Sequence, residues 1–189
     1  MSDRNLDLAQ KIIDLAVSLG ADSADAVVGE SASLNVSCRL GQLEDTERSE
    51  SRELGLRAII GQQQAFVSGT AVDAEALQRL AERAVEMAKA TPADRYCGLA
   101  PAERLASKLP SLDLADDHEP SAAELQTMAL ETEDTARTMA GITNSEGAGA
   151  AWGRGTTALV TSHGFAGSYS STSFSLSCSV VAGTGENME

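Results

Sequence analysis

Aromatic residues are scarce in this chain, at 3% of 189 positions. Its core must therefore be built mainly from Leu, Val, Ile and Ala, and there is little surface on which bases could stack. Basic residues are also few, 14 against 28 acidic ones, for a formal net charge of −14. Nucleic-acid affinity rests largely on Lys and Arg neutralising phosphates, so this balance argues against a nucleic-acid partner. It argues equally against an anionic membrane surface. The three cysteines, Cys38, Cys97 and Cys178, lie far apart. They form neither a secreted disulfide framework nor the paired spacing of a zinc site. No run approaches the ~20 apolar residues of a membrane span, and MSDRNLDLAQ has no apolar signal core. A soluble, cytoplasmic protein is expected.

What is present reads as an α+β scaffold: antiparallel β-meanders packed with amphipathic helices. The length of 189 residues suits one compact domain or two small ones sharing a core. Leu6, Ala9, Ile12, Ile13, Ala16 and Val17 recur at helical spacing and predict a first helix over 3–19. Ser2 or Asp3 is available to cap it, and Gly20 to stop it. A short strand is expected over 25–30. The stretch 34–70 then reads as a meander of three or four strands. In it Leu34, Val36, Cys38 and Leu40 alternate with polar residues, and so do Leu54, Leu56, Ala58 and Ile60. Gly41 and Gly61 sit at the turns. Between the two alternating runs lies the charged stretch QLEDTERSESRE, expected as an exposed hairpin arm or edge strand.

Asp73 should cap a second helix running to about Ala90, with Leu77, Leu80, Ala81, Ala84, Val85 and Ala88 on its buried stripe. All four prolines fall within 92–120. That concentration predicts a long connector, with at most a short helix near 102–108, between a first half (1–91) and a second half (121–189). Ser121 and Glu124 form a capping box opening a third helix. Its stripe is expected to be Leu125, Met128, Ala129, Thr132, Ala136 and Met139, ending at Gly141. Strands are expected over 158–161 and 169–181. In the second, Phe174, Leu176, Cys178 and Val180 share one face, and Ser173, Ser175, Ser177 and Ser179 the other. Cys38 and Cys178 read as buried thiols. Each half resembles a helix followed by strands, a pseudo-duplicated arrangement.

Catalytic signals are weak. His118 lies in the acidic run DDHE and reads as a solvated loop residue. His163 follows Ser162, but neighbouring side chains on an extended strand point to opposite faces, and no orienting acid is evident. The glycines of GAGAAWG lack the spacing and context of a dinucleotide loop and read as a Gly/Ala-rich strand or bulge. The carboxylates bunch in 44–53 and 113–119, and no acid/base pair stands out.

Several segments together resemble the N-terminal domain of the TldD/PmbA family, known as modulators of DNA gyrase and as metalloprotease-related proteins. They are CRLGQLEDTERSESRELGLRAIIGQQQAFVSGT, MAKATPADRYCGLAP, the 142–147 turn ITNSEG, TSHGF leading to SYSSTSFSLSCSVVAG, and GENME at 185–189. The connector, with Leu112, Asp113 and Leu114, is similar to the PmbA (TldE) branch. The resemblance implies a two-domain cytoplasmic protein, dimeric with a TldD-like subunit or with itself, in a system that cleaves unfolded peptides. It places the family's zinc motif in a C-terminal domain that this chain does not reach, so no cofactor is expected here; zinc would belong to the missing domain or the partner subunit.

The leading expectation is a non-catalytic scaffold that shapes a substrate cavity. Ser173, Ser175, Ser177 and Ser179, with His163, are its candidate contacts for peptide or partner, because an extended peptide can pair with a strand through backbone hydrogen bonds alone. One alternative is a stand-alone interaction module using the acidic hairpin around Glu44 and Glu53. Another is a hydrolase using Ser162 or His163.

Overall fold

Alternating burial along the strands builds most of this molecule. The computed structural model describes residues 2–184, with side chains from residue 4 onward. The element order is α1 (Ser2–Ser18), β1 (Ser23–Arg39), β2 (Gln42–Ile60), β3 (Gln63–Gly69), α2 (Ala74–Ala90), α3 (Ala122–Arg137), β4 (Ile142–Thr161) and β5 (Ala166–Ala182). The strands form one five-stranded sheet in the order β3-β2-β1-β4-β5, which makes the chain α+β as its sequence predicts. The expected strand over 25–30 and the one beginning at Leu34 are a single strand, β1. The expected turn at 142–147 is the start of β4; the chain turns earlier, ahead of Gly141 (φ +92°). The capping expectations for Ser2 and Asp3, and the GENME segment, fall outside the described side chains and residues.

Two compact units share these strands without following chain order. The first takes residues 1–30, 51–112 and 156–170. Helices α1 and α2 bury Ile12, Ile13, Leu77, Ala81 and Val85 against Val28, Leu54, Leu56 and Val160. The small residues Ala9, Ala16, Ala84 and Ala88 complete this core and take the place of the missing aromatics. Val17, expected on the buried stripe, is 44% exposed. The Asp73 carboxylate caps α2 by accepting the Ala76 N–H at 2.9 Å. β3 pairs with β2 only from Leu54 to Ile60. The connector holds no longer helix than a 3₁₀ turn at Ala102–Arg104.

The second unit takes residues 31–50, 113–155 and 171–189. Its core joins Leu34, Val36 and Cys38 of β1, Leu125 and Ala129 of α3, and Ala148, Ala150 and Trp152 of β4. The capping box forms as the sequence predicts: Ser121 Oγ accepts the Glu124 N–H at 3.2 Å, and Glu124 Oε2 accepts the Ser121 N–H at 2.7 Å. The helical stripe differs from expectation. Met128 and Met139 are 41% and 61% exposed, the helix stops at Arg137, and the third fully buried α3 side chain is Glu133. Leu40, expected on the core face, is exposed in the β1–β2 turn with φ +50° beside Gly41 at φ +75°. Two successive residues at positive φ are what a tight two-residue hairpin turn requires.

Candidate functional site

Among the described residues β5 is an edge strand by sheet order, 17 residues long and without a single charged side chain or proline. In the second unit, Ser173, Ser175, Ser177 and Ser179 are all exposed. Ser173 Oγ and Ser177 Oγ lie over the backbone of Gly153 and Gly149 on β4, where a Cβ would approach them to 3.3 Å and 3.7 Å. Ser173 and Ser177 therefore stand over glycines of β4. Ser179 is drawn toward Glu146, whose Oε2 accepts its hydroxyl hydrogen bond at 3.1 Å. On the opposite face of β5, Cys178, expected to be a buried thiol, is half-buried against the α3 core, and Phe174 and Leu176 are each 47% exposed. An edge strand lacks a neighbour on its outer side, so its apolar residues are covered only from within the sheet and from α3.

The connector packs Leu109 beside Gly167 of β5 and hydrogen-bonds to the strand at Thr172. Thr172 donates its N–H to the Leu114 carbonyl at 2.9 Å, and Thr172 Oγ1 accepts the Asp116 N–H at 2.8 Å. Residues 114–116 thus make one backbone hydrogen bond to β5 and one to its Thr172 side chain without forming a strand.

The other exposed edge of this unit is the start of β2. Residues 42–50 are all exposed and hold Glu44, Asp45, Glu47, Arg48 and Glu50. This is the solvated arm expected from the sequence. Arg48 bridges Glu50 at 2.8 Å and Glu119 at 2.7 Å. The arm is anchored at its turn by Glu133. One carboxylate oxygen accepts the Leu40 N–H at 2.8 Å and the Ser145 hydroxyl at 2.5 Å, and the other accepts the Gly41 N–H at 2.9 Å. Ser145 Oγ also accepts the Gly147 N–H at 3.0 Å, and Arg39 Nε donates to the Ser145 carbonyl at 3.1 Å. Gly147 has φ +113°, and a Cβ there would meet the Cys38 carbonyl oxygen at 2.8 Å, so only glycine fits. Burial pushes the Glu133 carboxyl upward, but the Ser145 hydroxyl, the Gly41 and Leu40 N–H groups and Arg137 together hold it below the ordinary glutamate value. Burial, with the Glu133 charge nearby, pushes the Cys38 and Cys178 thiols up, away from the reactive thiolate.

Glu133 is the residue sequence reasoning missed. Leu125, Ala129 and Glu133 follow at intervals of four, so an acidic residue stood in line with the buried stripe. What it would bind could not be read, because Gly41 and Ser145 lie 92 and 12 residues away.

The histidines are placed apart from any catalytic grouping. His163 is exposed in the turn between β4 and β5, not on a strand. Its neighbour Ser162 is engaged with β1, its Oγ accepting the Ala24 N–H at 3.0 Å. His118 Nε2 lies 3.6 Å from Glu124 at the surface. The first unit has a cleft of about 310 Å³ lined by Leu99, Leu105, Leu159 and Phe165. Its polar pair is Arg57 and Asp25, joined two-pronged at 3.0 and 2.5 Å. Among the described residues no three His, Cys, Asp or Glu side chains converge as metal ligands, so no step is assigned to a metal here. No helix among them is long and apolar enough to cross a membrane.

These features describe an α+β scaffold whose second unit has, among the described residues, an uncharged edge strand and a charged arm. Residues 24–88 match PmbA/TldA metallopeptidase domain 1, and residues 115–189 match the PmbA/TldA metallopeptidase central domain. The chain belongs to the PmbA/TldD family. It is 33% identical over 178 residues to the metalloprotease PmbA homolog of Haemophilus influenzae, covering 94% of this chain and 39% of that protein. Against metalloprotease PmbA of Escherichia coli O157:H7 it is 31% identical over 188 residues, covering 95% and 42%. The chain therefore spans about two fifths of the length of these relatives. Two solved structures share its fold. A candidate modulator of DNA gyrase from Bacteroides thetaiotaomicron superposes with a TM-score of 0.89 at 21% identity, covering 98% of this chain and 43% of that one. TldE from Thermococcus kodakarensis does so at 0.82 and 15%, covering 96% and 40%.

Proposed function

We propose that this chain is the non-catalytic scaffold of a PmbA/TldE-like subunit in a cytoplasmic metallopeptidase system, and that its β5 edge receives unfolded peptide. The observation that carries this reading is the character of β5: a long, exposed edge strand with no charge to repel a pairing strand. Native edges are ordinarily blunted by charge, proline or a cover. An edge left uncharged suits an extended guest that pairs through backbone hydrogen bonds. The serine row over Gly149 and Gly153 makes no demand on the guest's side chains beyond modest size. In this reading, hydrolysis and its zinc belong to a further domain or to a TldD-like or identical partner subunit.

The test is photo-crosslinking of a labelled, unfolded peptide followed by mapping of the modified residues. Adducts on β5 support the proposal; binding with β5 unmodified would sink it. A second reading rests on the arm at 42–50, whose exposure and five charges suit a protein partner. Charge reversal on the arm that weakens partner capture, with peptide crosslinking intact, would favour it.

A further inference from the structure

Arg57, Asp25 and Leu159 sit on neighbouring strands of the first unit, β2, β1 and β4. The residues on either side of each are packed into the helix-covered core: Leu56 and Ala58, Ala24 and Ala26, Ala158 and Val160. Side chains alternate along a strand, so Arg57, Asp25 and Leu159 stand on the sheet face that α1 and α2 leave uncovered. The chain between β4 and β5 folds back at the same place. Thr161 donates its N–H to the Phe165 carbonyl at 2.9 Å, and Thr161 Oγ1 accepts the Phe165 N–H at 3.2 Å. The connector lies across this face and brings Leu99, Arg104 and Leu105, which with Leu159 and Phe165 line the cleft of about 310 Å³. Leu109 continues the strap over Gly167, where a Cβ would come within 2.7 Å of it. Among the described residues, the hydrogen bonds of 98–113 are those inside the 3₁₀ turn, from Arg104 N–H to Pro101 at 2.9 Å and from Leu105 N–H to Ala102 at 3.2 Å. None reaches the sheet, so the strap rests on it by its leucines.

Charge and size define what would fill this cleft. Arg57 is engaged by the Asp25 carboxylate, and its Nη1 donates to Gln64 Oε1 at 3.4 Å. Arg104 lines the same cleft and has no hydrogen bond or ion pair for its side chain among the described residues. Two guanidinium groups thus face one carboxylate, and the lining keeps a single positive charge in a chain whose net charge is −14. We propose that the cleft binds a small carboxylic acid with an apolar body. Its carboxylate is held by Arg104, whose planar fork suits a two-pronged grip. Its hydrocarbon part lies among Leu105, Leu159 and Phe165. A cavity of this volume is at the lower end of ligand pockets, which limits the ligand to a small molecule. Asp25 sets the charge limit: it uses the charge of Arg57, and a second anionic group on the ligand would be repelled by it. The strap has no hydrogen bond to the sheet to break, so it lifts to admit the ligand and closes on it. This site is separate from the strand proposed for peptide.

Calorimetric titration of the whole chain with isocaproate tests this, with isocaproamide as the uncharged isostere. The acid is expected to bind about tenfold more tightly than the amide, the worth of a hydrogen bond to a charged group. Arg104→Gln alters an exposed position. It should abolish that preference and leave the affinity for the amide unchanged. Hydrogen exchange of the 98–108 amides should slow when the cleft is saturated with isocaproate. Equal affinity for acid and amide, a preference that survives in R104Q, or no binding at millimolar acid overturns the site. Tighter binding of acetyl-Ala-Ala-Leu than of isocaproate, lost in R104Q, would overturn the free acid in favour of a chain terminus. Peptide crosslinking to β5 is scored separately in the same variant, so either proposal can fail without the other.

Discussion

Residues 42–50 of β2 and residues 174–180 of β5 are exposed stretches of edge strand in the same unit, and they share almost no chemistry. The first carries five charged side chains in nine positions; the second carries none in seven. Charge on an edge makes pairing with a passing strand costly, because the incoming backbone would have to approach desolvated carboxylates. The β2 arm is protected in that way, and β5 is not. Among the described residues Glu133 is the one fully buried carboxylate, and it is engaged at the turn at the end of the arm. The charged edge is pinned at its turn, and the uncharged one is where the proposed peptide would pair.

The largest way to disturb this contrast is to release the pin. Glu133→Gln replaces an acceptor with an amide that can satisfy only part of the set formed by Leu40, Gly41 and Ser145. Losing buried hydrogen bonds to a charged group should cost about 2–3 kcal/mol in urea unfolding. Retention of wild-type stability would show that the turn holds without the carboxylate. The pH dependence follows from the same cluster. The Glu133 carboxyl titrates below its unfolded value, so the unfolded chain binds more protons as pH falls through the carboxylate range. Its stabilisation is complete above the unfolded glutamate value and is lost as pH drops through the lower folded one. Wild type should therefore lose more stability than E133Q between neutrality and acid, and parallel curves would remove Glu133 from the account.

Much of this was legible in the sequence. Asp73, Ser121 with Glu124, and Gly41 announced their caps and turn because the partners lie within four residues. The charged arm was readable from composition, and so was the alternation on β5. Only the depth of Cys178 on β5 was misjudged: it is half-buried. Alternation states which residues share a face, not whether another layer covers that face, and sheet order makes β5 an edge through pairings invisible locally. β4 was read in pieces, 147–153 as a Gly/Ala-rich strand or bulge and 158–161 as a strand, and its continuous 20-residue span was not. Its glycines weaken a strand signal, yet Gly147, Gly149 and Gly153 permit close approach of neighbouring backbone and serines.

A smaller effect is expected from giving β5 the protection it lacks. Phe174→Lys with Leu176→Lys places charge on both exposed apolar positions. Stability should change by no more than about 0.5 kcal/mol, because the side chains are half in water already. Peptide binding should fall about tenfold, since a guest must now pair against two ammonium groups. Unchanged binding would locate the peptide elsewhere.

The smallest effect is expected on the opposite edge. Glu47→Lys with Glu50→Lys reverses two charges on the arm and breaks the Arg48–Glu50 bridge. That bridge joins side chains 45% and 66% exposed, and surface pairs of this kind contribute about 0–1 kcal/mol. Arg48 keeps Glu119 as a second partner. Folding stability should therefore stay within about 0.5 kcal/mol of wild type, and the affinity of β5 for peptide should not move. Because a charged edge of either sign still resists pairing, self-association should not appear. If the variant loses peptide as β5 variants do, the two edges act on one ligand, and the contrast between a guarded margin and an open one has to be given up.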